Sequence, residues 1–492
     1  MPAIGPGGHA ASASRRLLRT VARPRARPRL SVLVRKSRCM SSEGQARPAK
    51  VSSPRPEHVR PGDRELLSLF PNPIATIDQK SYEACQEPVS VMDSKIECLC
   101  SWNEARGSRQ AIYVPGDASR PRNTIASLSN DAIREALDAA MPERRPWGYC
   151  NPGRGPRPVG WDDSLAALCA TDPGLKLDHV DVMASLGVLL NLLSVAHNTH
   201  QRLYRRPRHG FPDSFHLNMM QVGNTLVLRD RFNTTATKTR FNTTATKIRV
   251  PGPSPKGWEY YKIFTEPAPE VGDSSIHHQL LSYKLGPLTC LVRTYVNGSM
   301  QDMPIPTDQS SNPQRRDIHG IDVIKAGQGV QTSQAFLACA RGFPFQRSNE
   351  AVRLQRNAQN LLLSGQTKLA VADVVPEDRL GELRGLTVVE MAELVRNYET
   401  DNQHVLRRLV GLLGALRETV RAHGGPCVGI FFPPSEAALS ISGERNDTIQ
   451  VYEAGPDEPP ILLDWHKEHF WPQSQVPKKH GFIGKLVRSL GF

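Results

Sequence analysis

The chain has 492 residues, enough for one large domain or two, and a formal net charge of +14. Residues 1–60 hold fourteen Lys/Arg against two acids, Glu43 and Glu57, so +12 of that charge sits in the first stretch and the rest of the chain is nearly neutral. The high charge therefore does not mark the body as a nucleic-acid binder. Nine cysteines show neither a C-x-x-C pair nor zinc spacing, which reads as reduced, mostly buried thiols of an intracellular protein. No apolar run reaches the ~18 residues of a membrane helix.

In chain order, residues 1–40 form a basic, acid-poor tail in which Leu17, Leu18 and Val21 sit among Arg15, Arg16 and Arg19. That is the composition of a mitochondrial presequence, with a processing site near Arg38–Ser41. A disordered basic tail touching RNA or acidic surfaces is the alternative. So is translation from Met40, which would leave the protein in cytoplasm or nucleus. Residues 41–75 read as a Pro/Ser-rich disordered linker, and 76–465 as a single large α+β domain.

Within the domain, Ile96–Asn103 and Ala111–Val114 read as strands, and 142–160 as a long Pro/Gly/Arg loop. Asp181–Ala196 reads as a helix. Phe215–Met220 and Thr225–Leu228 flank Gly223-Asn224 and predict a hairpin. Residues 231–239 and 240–248 are a near-perfect nine-residue tandem copy, too short for a solenoid. Leu288–Asn297 and Ile321–Lys325 are expected as neighbouring strands of one sheet, with a helix over Gln334–Arg341. Thr387–His423 is the longest helical pattern, with Thr387 and Glu390 as a capping box. Cys427–Phe432 and Thr448–Glu453 read as strands. Residues 466–492 are a C-terminal extension whose Phe482–Phe492 is amphipathic, either packed or lying on a membrane surface.

The segment Ile276–Arg341 has the layout of a metal-dependent nuclease core: a strand with acidic ligands, a loop, an acid-x-Lys strand, then a helix. Where the first strand needs Glu-Val-Asp, it reads Tyr295-Val296-Asn297; where the second needs Glu-x-Lys, it reads Val323-Ile324-Lys325. Segments ECLCSWNE with VPG (97–116), HVDVMASLGVLLNLL (179–193), HHQLLSYKLGPLTCLVR (277–293), SQAFLACARG (333–342) and RNYETDNQ (396–403) resemble, in this order, a group of filamentous-fungal proteins. That group often carries the name geranylgeranyl pyrophosphate synthetase, and the resemblance covers roughly residues 65–465. A prenyl synthase needs DDxxD motifs to hold Mg²⁺ against diphosphate. The only Asp-Asp is Asp162-Asp163, with no further acid after it.

The core of that group is in turn similar to the decapping exonuclease (DXO) family, of PD-(D/E)XK-like fold. Its acids hold divalent metal at the scissile phosphate. The resemblance implies a mixed β-sheet nuclease-like core with flanking helices and a long C-terminal helix. It carries the metal positions onto Tyr295, Asn297 and Val323, and the catalytic lysine onto Lys325, with Asp322 one residue away. One Asn and one Lys do not assemble the charge that two Mg²⁺ ions require.

The expectation is a catalytically degenerate nuclease-like protein without a cofactor, an RNA-binding or protein-interaction module. Arg293, Arg315 and Arg316 are its candidate nucleic-acid contacts. The alternative is an active Mg²⁺- or Mn²⁺-dependent RNA 5′-end nuclease using Asp317, Asp322 or Glu350. A third reading is a structural protein with no ligand. His197/His200 and His466/His469 have i,i+3 spacing but no clear third ligand. His277 and His278 face opposite sides of a strand and do not share a metal easily.

Overall fold

The computed structural model describes residues 72–77, 84–102, 111–121, 161–197, 215–230, 265–266, 271, 276–300, 314–327, 334–341, 350–375, 382–432, 448–456 and 458–472. All belong to one compact unit, Val59–Phe492. The basic tail, most of the linker, the 142–160 loop, the tandem copy, His200 and the Phe482–Phe492 segment lie outside the described residues.

The strands are β1 (Ala75–Ile77), β2 (Val91–Trp102), β3 (Ala111–Pro115), β4 (Arg120–Pro121), β5 (Val182–Ser185), β6 (Phe215–Val222), β7 (Thr225–Asp230), β8 (Thr265–Glu266), β9 (Ile276–Leu285) and β10 (Leu288–Tyr295). They continue with β11 (Gly298–Ser299), β12 (Arg315–Ile318), β13 (Ile321–Ala326), β14 (Ala335–Arg341), β15 (Lys368–Val375), β16 (Glu382–Glu390), β17 (Cys427–Phe432) and β18 (Thr448–Glu453). The helices are α1 (Asp162–Thr171), α2 (Leu186–Ala196), α3 (Glu350–Ser364), α4 (Ala392–Asp401), α5 (Gln403–His423) and α6 (Asp464–Phe470).

Twelve strands form one mixed sheet in the order β1-β18-β17-β6-β7-β5-β10-β9-β2-β3-β13-β12, and β11-β14-β15-β16 form a second. The fold is α+β, as expected. The long hairpin β9–β10 turns at Gly286, whose φ of +58° is left-handed and suits glycine. The β6–β7 hairpin turns at Gly223-Asn224 as its sequence predicts.

Alternation along the strands sends neighbouring side chains to opposite faces. Val292 joins an apolar cluster with Leu189, Leu363, Leu406 and Leu413 of α2, α3 and α5. Leu291, next to it, joins Leu165 and Leu168 of α1, with Val323, Phe470 and Trp471 on the other face. Because His466, Phe470 and Trp471 are buried, the expected boundary at 465 falls inside α6, and the packed body runs through Trp471. At the other end, the last linker residue, Ala75, already lies in β1.

Three helix assignments from the sequence are corrected. Val182–Ser185 is a strand flanked by β10 and β7 in parallel, and α2 begins only after Ser185, whose Oγ caps Val188 N–H at 3.3 Å. Thr387 and Glu390 do not form a capping box; they lie in β16, opposite Val371 and Lys368 of β15. Ala335–Arg341 is β14, not a helix. In each case non-local pairing overrides a local pattern.

Two of the segments that carry the resemblance prove to be braces. On α4 and α5, Glu399 Oε1 accepts from Val91 N–H at 2.9 Å, while Gln403 accepts from Val89 N–H at 2.9 Å and donates to Val89 C=O at 2.8 Å. Asp181 accepts from Thr289 N–H at 2.9 Å, pairs with Arg417 at 2.9 Å and accepts from Asn224 Nδ2 at 3.3 Å. One carboxylate thus ties β10, α5 and the β6–β7 turn together.

Candidate functional site

The seam between the two sheets runs through Tyr295–Ser299. Tyr295 is the last residue of β10 and lies opposite His278. Val296 N–H still donates to His277 C=O of the large sheet at 3.0 Å, whereas Asn297 N–H donates to Phe336 C=O of β14 at 3.1 Å. The chain changes sheets between these two residues. Gly298 then pairs with Phe336, and the ring lies so close that a Cβ at 298 would sit 2.2 Å from its Cζ; only glycine fits.

This register corrects the expected layout. β10 and β13 share a sheet but are not neighbours, because β9, β2 and β3 stand between them. The strand beside the Tyr295–Asn297 stretch, and preceding helix α3, is β14. It reads Ala-Phe-Leu-Ala-Cys-Ala-Arg, with neither a carboxylate nor a lysine. The seam is closed by a small apolar group, Leu99, Ala118, Val296 and Ala335.

The expected catalytic pair does not assemble there. Val323 is buried at 2% exposure in the α1-side cluster, and Lys325, on the same face, is exposed. Asp322 points to the opposite face and forms an ion pair with Arg315 at 2.5 Å. Asp317 is engaged in the β12–β13 turn, accepting from Gly320 N–H at 2.8 Å. Glu350 opens α3, far along the chain from either; its side chain lies outside the described residues. Among the described residues, no three His, Cys, Asp or Glu side chains converge as metal ligands would.

Of the candidate nucleic-acid contacts, Arg293 is corrected outright. It is buried, its guanidinium 5.1 Å from the Trp161 ring centroid, and burial lowers its pKa. Arg315 and Arg316 are exposed on the edge strand β12. His197 and His466 are each engaged by a neighbour. His197 Nε2 lies 3.1 Å from Gln355 Nε2, and His466 Nδ1 accepts from Leu463 N–H at 2.9 Å. Asp162-Asp163 begin α1, where carboxylates suit the positive helix end.

His277 and His278 do face opposite sides of β9, as the sequence implies, but their partners were not foreseen. His277 Nδ1 lies 2.5 Å from Ser101 Oγ of β2, and burial pushes the imidazole down to about 3. His278 sits on the other face, its ring centroid 4.6 Å from that of Tyr295. Burial, then Arg293 and His277, hold its pKa well below the ordinary value. Both stay neutral. Adjacent histidines on a strand signal opposite faces but not which partners lie there, since β2 arrives from far along the chain.

A model of a domain of unknown function, DUF8563, matches residues 73–461. The chain belongs to that family. Among solved structures, Scheffersomyces stipitis Rai1 in complex with (3′-NADP)⁺ and calcium ion is similar at 12% identity and TM-score 0.51, over 80% of this chain and 99% of that one. S. stipitis Rai1 alone gives 13% and 0.50, over 80% and 97%. Candida albicans Rai1 in complex with pU5-Mn²⁺ gives 10% and 0.50, over 80% and 98%. No curated protein sequence matches the chain. The DUF8563 fold here is thus that of the Rai1/DXO decapping nucleases.

A divalent ion of the kind named in two of those complexes needs several hard oxygen ligands, carboxylates above all. Among the described residues, the Tyr295–Ser299 stretch offers the Asn297 amide and the Tyr295 phenol, β14 offers none, and the buried Asp117 beside Ala118 is a single carboxylate. Among the described residues, this set does not fit the ion.

Proposed function

We propose that this DUF8563 protein is a catalytically degenerate member of the decapping-nuclease fold, and that it binds RNA without cleaving it. The observation that carries this reading is β14. β14, paired to Gly298–Ser299 and accepting from Asn297 N–H, contains no acid and no lysine, and the stretch leading into that pairing reads Tyr-Val-Asn. Phosphodiester cleavage on such a scaffold relies on metal-held charge at the phosphate, and losing even one such contact costs about 2.7–4 kcal/mol in the barrier. The displaced-acid alternative lacks support, because Asp322 and Lys325 face opposite ways and Asp317 is tied into its own turn. RNA as the partner class is supported by the fold shared with Rai1, one structure of which holds pU5.

The test is direct. Purified full-length protein with Mg²⁺ or Mn²⁺ is incubated with 5′-monophosphate RNA and with incompletely capped RNA, and binding is followed by anisotropy. Binding without product is the expected result. Metal-dependent cleavage abolished by Lys325→Ala would overturn it and make the chain an enzyme. We further propose that the basic tail directs the protein to mitochondria. A fusion of residues 1–60 to a fluorescent protein should localise there, and diffuse signal would remove the proposal.

A further inference from the structure

We infer that Tyr295 has become a stacking platform for an unpaired nucleobase, at the position where the nuclease layout has its first acid. This rests on the RNA-binding reading above and specifies its contact. Tyr295 is an exposed aromatic: 51% of it is accessible, while its neighbours Thr294 and Val296 are buried. Single exposed aromatics are common, so exposure alone carries nothing. Three further observations do.

The ring is backed. His278 lies against it at 4.6 Å between centroids, and that imidazole is itself buried and neutral. The backbone is pinned. Tyr295 is hydrogen-bonded in register with β9, and Gln366 Nε2, from the turn between α3 and β15, donates to its carbonyl at 3.0 Å. A ring held this way gives up little freedom when a base stacks on it. Finally, the ring has a cation in register. Tyr295 pairs with His278, and His278 with Cys100. Continuing the Ser101–Tyr113 register puts Cys100 opposite Val114, and Val114 pairs with Lys325. These five residues form one row on one face of the sheet, its exposed ends being Tyr295 and Lys325. Four interstrand spacings of about 4.8 Å separate the two, about 19 Å. That is a few nucleotides of extended single strand, so a base on Tyr295 and a phosphate near Lys325 are compatible with one short oligonucleotide. Proteins that hold single strands without cleaving them combine such aromatic surfaces with cations along the backbone path.

The experiment uses full-length protein and a 5′-phosphorylated decauridine carrying one 5-iodouridine for photocrosslinking. The crosslink should map to Tyr295 by mass spectrometry. Tyr295→Phe should bind as wild type, and Tyr295→Ala should bind roughly tenfold more weakly, the size of one lost base stack. A decamer of abasic sugar phosphates should bind wild type and Tyr295→Ala equally. If wild type binds RNA but Tyr295→Ala binds it as well, with crosslinks elsewhere, the platform is wrong while the RNA reading stands. If wild type binds no RNA, both fall.

Discussion

Around Asp181, three elements meet on one carboxylate; at the seam between β10 and β11, two sheets meet on backbone hydrogen bonds and apolar side chains. The first region is polar and fully employed: each Asp181 oxygen holds a partner, from Thr289, Arg417 and Asn224. The second is held by backbone hydrogen bonds and by Leu99, Ala118, Val296 and Ala335. Charge holds the first region together, and apolar packing with backbone hydrogen bonds holds the second. Disrupting Asp181 should therefore cost stability, whereas changing the exposed positions at the seam should alter binding and leave the fold standing.

The largest effect is expected from putting the acids back at the positions the sequence comparison suggests. Val323→Glu places a carboxylate in the apolar cluster beside Ile112 and Leu165. An uncompensated buried charge costs about 3–5 kcal/mol. Asn297→Asp, at a half-buried position, should fold normally. Residue 297 lies just past β10, from which the β13 strand of residue 323 is separated by β9, β2 and β3, so the double variant should gain no metal-dependent cleavage. Urea denaturation and an RNA cleavage assay check both. A stable, active double variant would break the comparison.

Asp181→Ala comes next. It removes the ion pair to Arg417, with both side chains mostly buried, and leaves Thr289 N–H without its acceptor. A loss of about 2–3 kcal/mol is expected. Arg417→Ala should be smaller, because the Thr289 bond survives. A loss below about 0.5 kcal/mol for Asp181→Ala would mean that the brace is water-supported and the contrast with the seam is empty.

The scaffold was more legible than the site. Turn chemistry at Gly223-Asn224 marks a local hairpin, and the α5 periodicity from Val405 to Val420 marks a buried helix face. Those signals are short-range. What failed was non-local. Phe336–Arg341 is a short apolar run that suits helix or strand equally, and only its partners β11 and β15 decide. Thr387 and Glu390 match a cap motif but are claimed by β15. Because Ala335–Arg341 was read as a helix, its pairing beside Asn297 was not foreseen. That positions 295 and 297 carry no acid was legible; that β14 would pair beside them was not.

The seam also predicts a pH effect. His277 is held neutral at about 3 by burial, whereas the unfolded chain titrates near 6.5. Below about 6.5 the unfolded state takes up a proton that the native state refuses. Stability is therefore complete above that pH and falls on acidification by up to ~1.4 kcal/mol per unit until about pH 3. His466, also pushed down to about 3, adds a second proton. By pH 5 the His277 share is about 2 kcal/mol. His277→Gln should flatten the dependence of the urea midpoint on pH between 6.5 and 4.5. Parallel profiles for variant and wild type would show that His277 titrates as it would in water.

The smallest effect sharpens the polar side of the comparison. Gln403 behaves as a substitute strand, its amide accepting from Val89 N–H and donating to Val89 C=O. Val89 itself is fully buried, so Gln403→Ala leaves both backbone groups without those partners. Water reaches the half-buried amide more readily than it reaches the core, which limits the cost to about 1–2 kcal/mol. Gln403→Glu keeps an acceptor for Val89 N–H but loses the donor, and its loss should be about half. Hydrogen exchange reads the two apart. The Val89 amide should lose protection in Gln403→Ala and keep most of it in Gln403→Glu, while the amide of Val91, held by Glu399, stays protected in both. If Val89 and Val91 deprotect together, the strap opens as one unit and the glutamine is not an independent anchor.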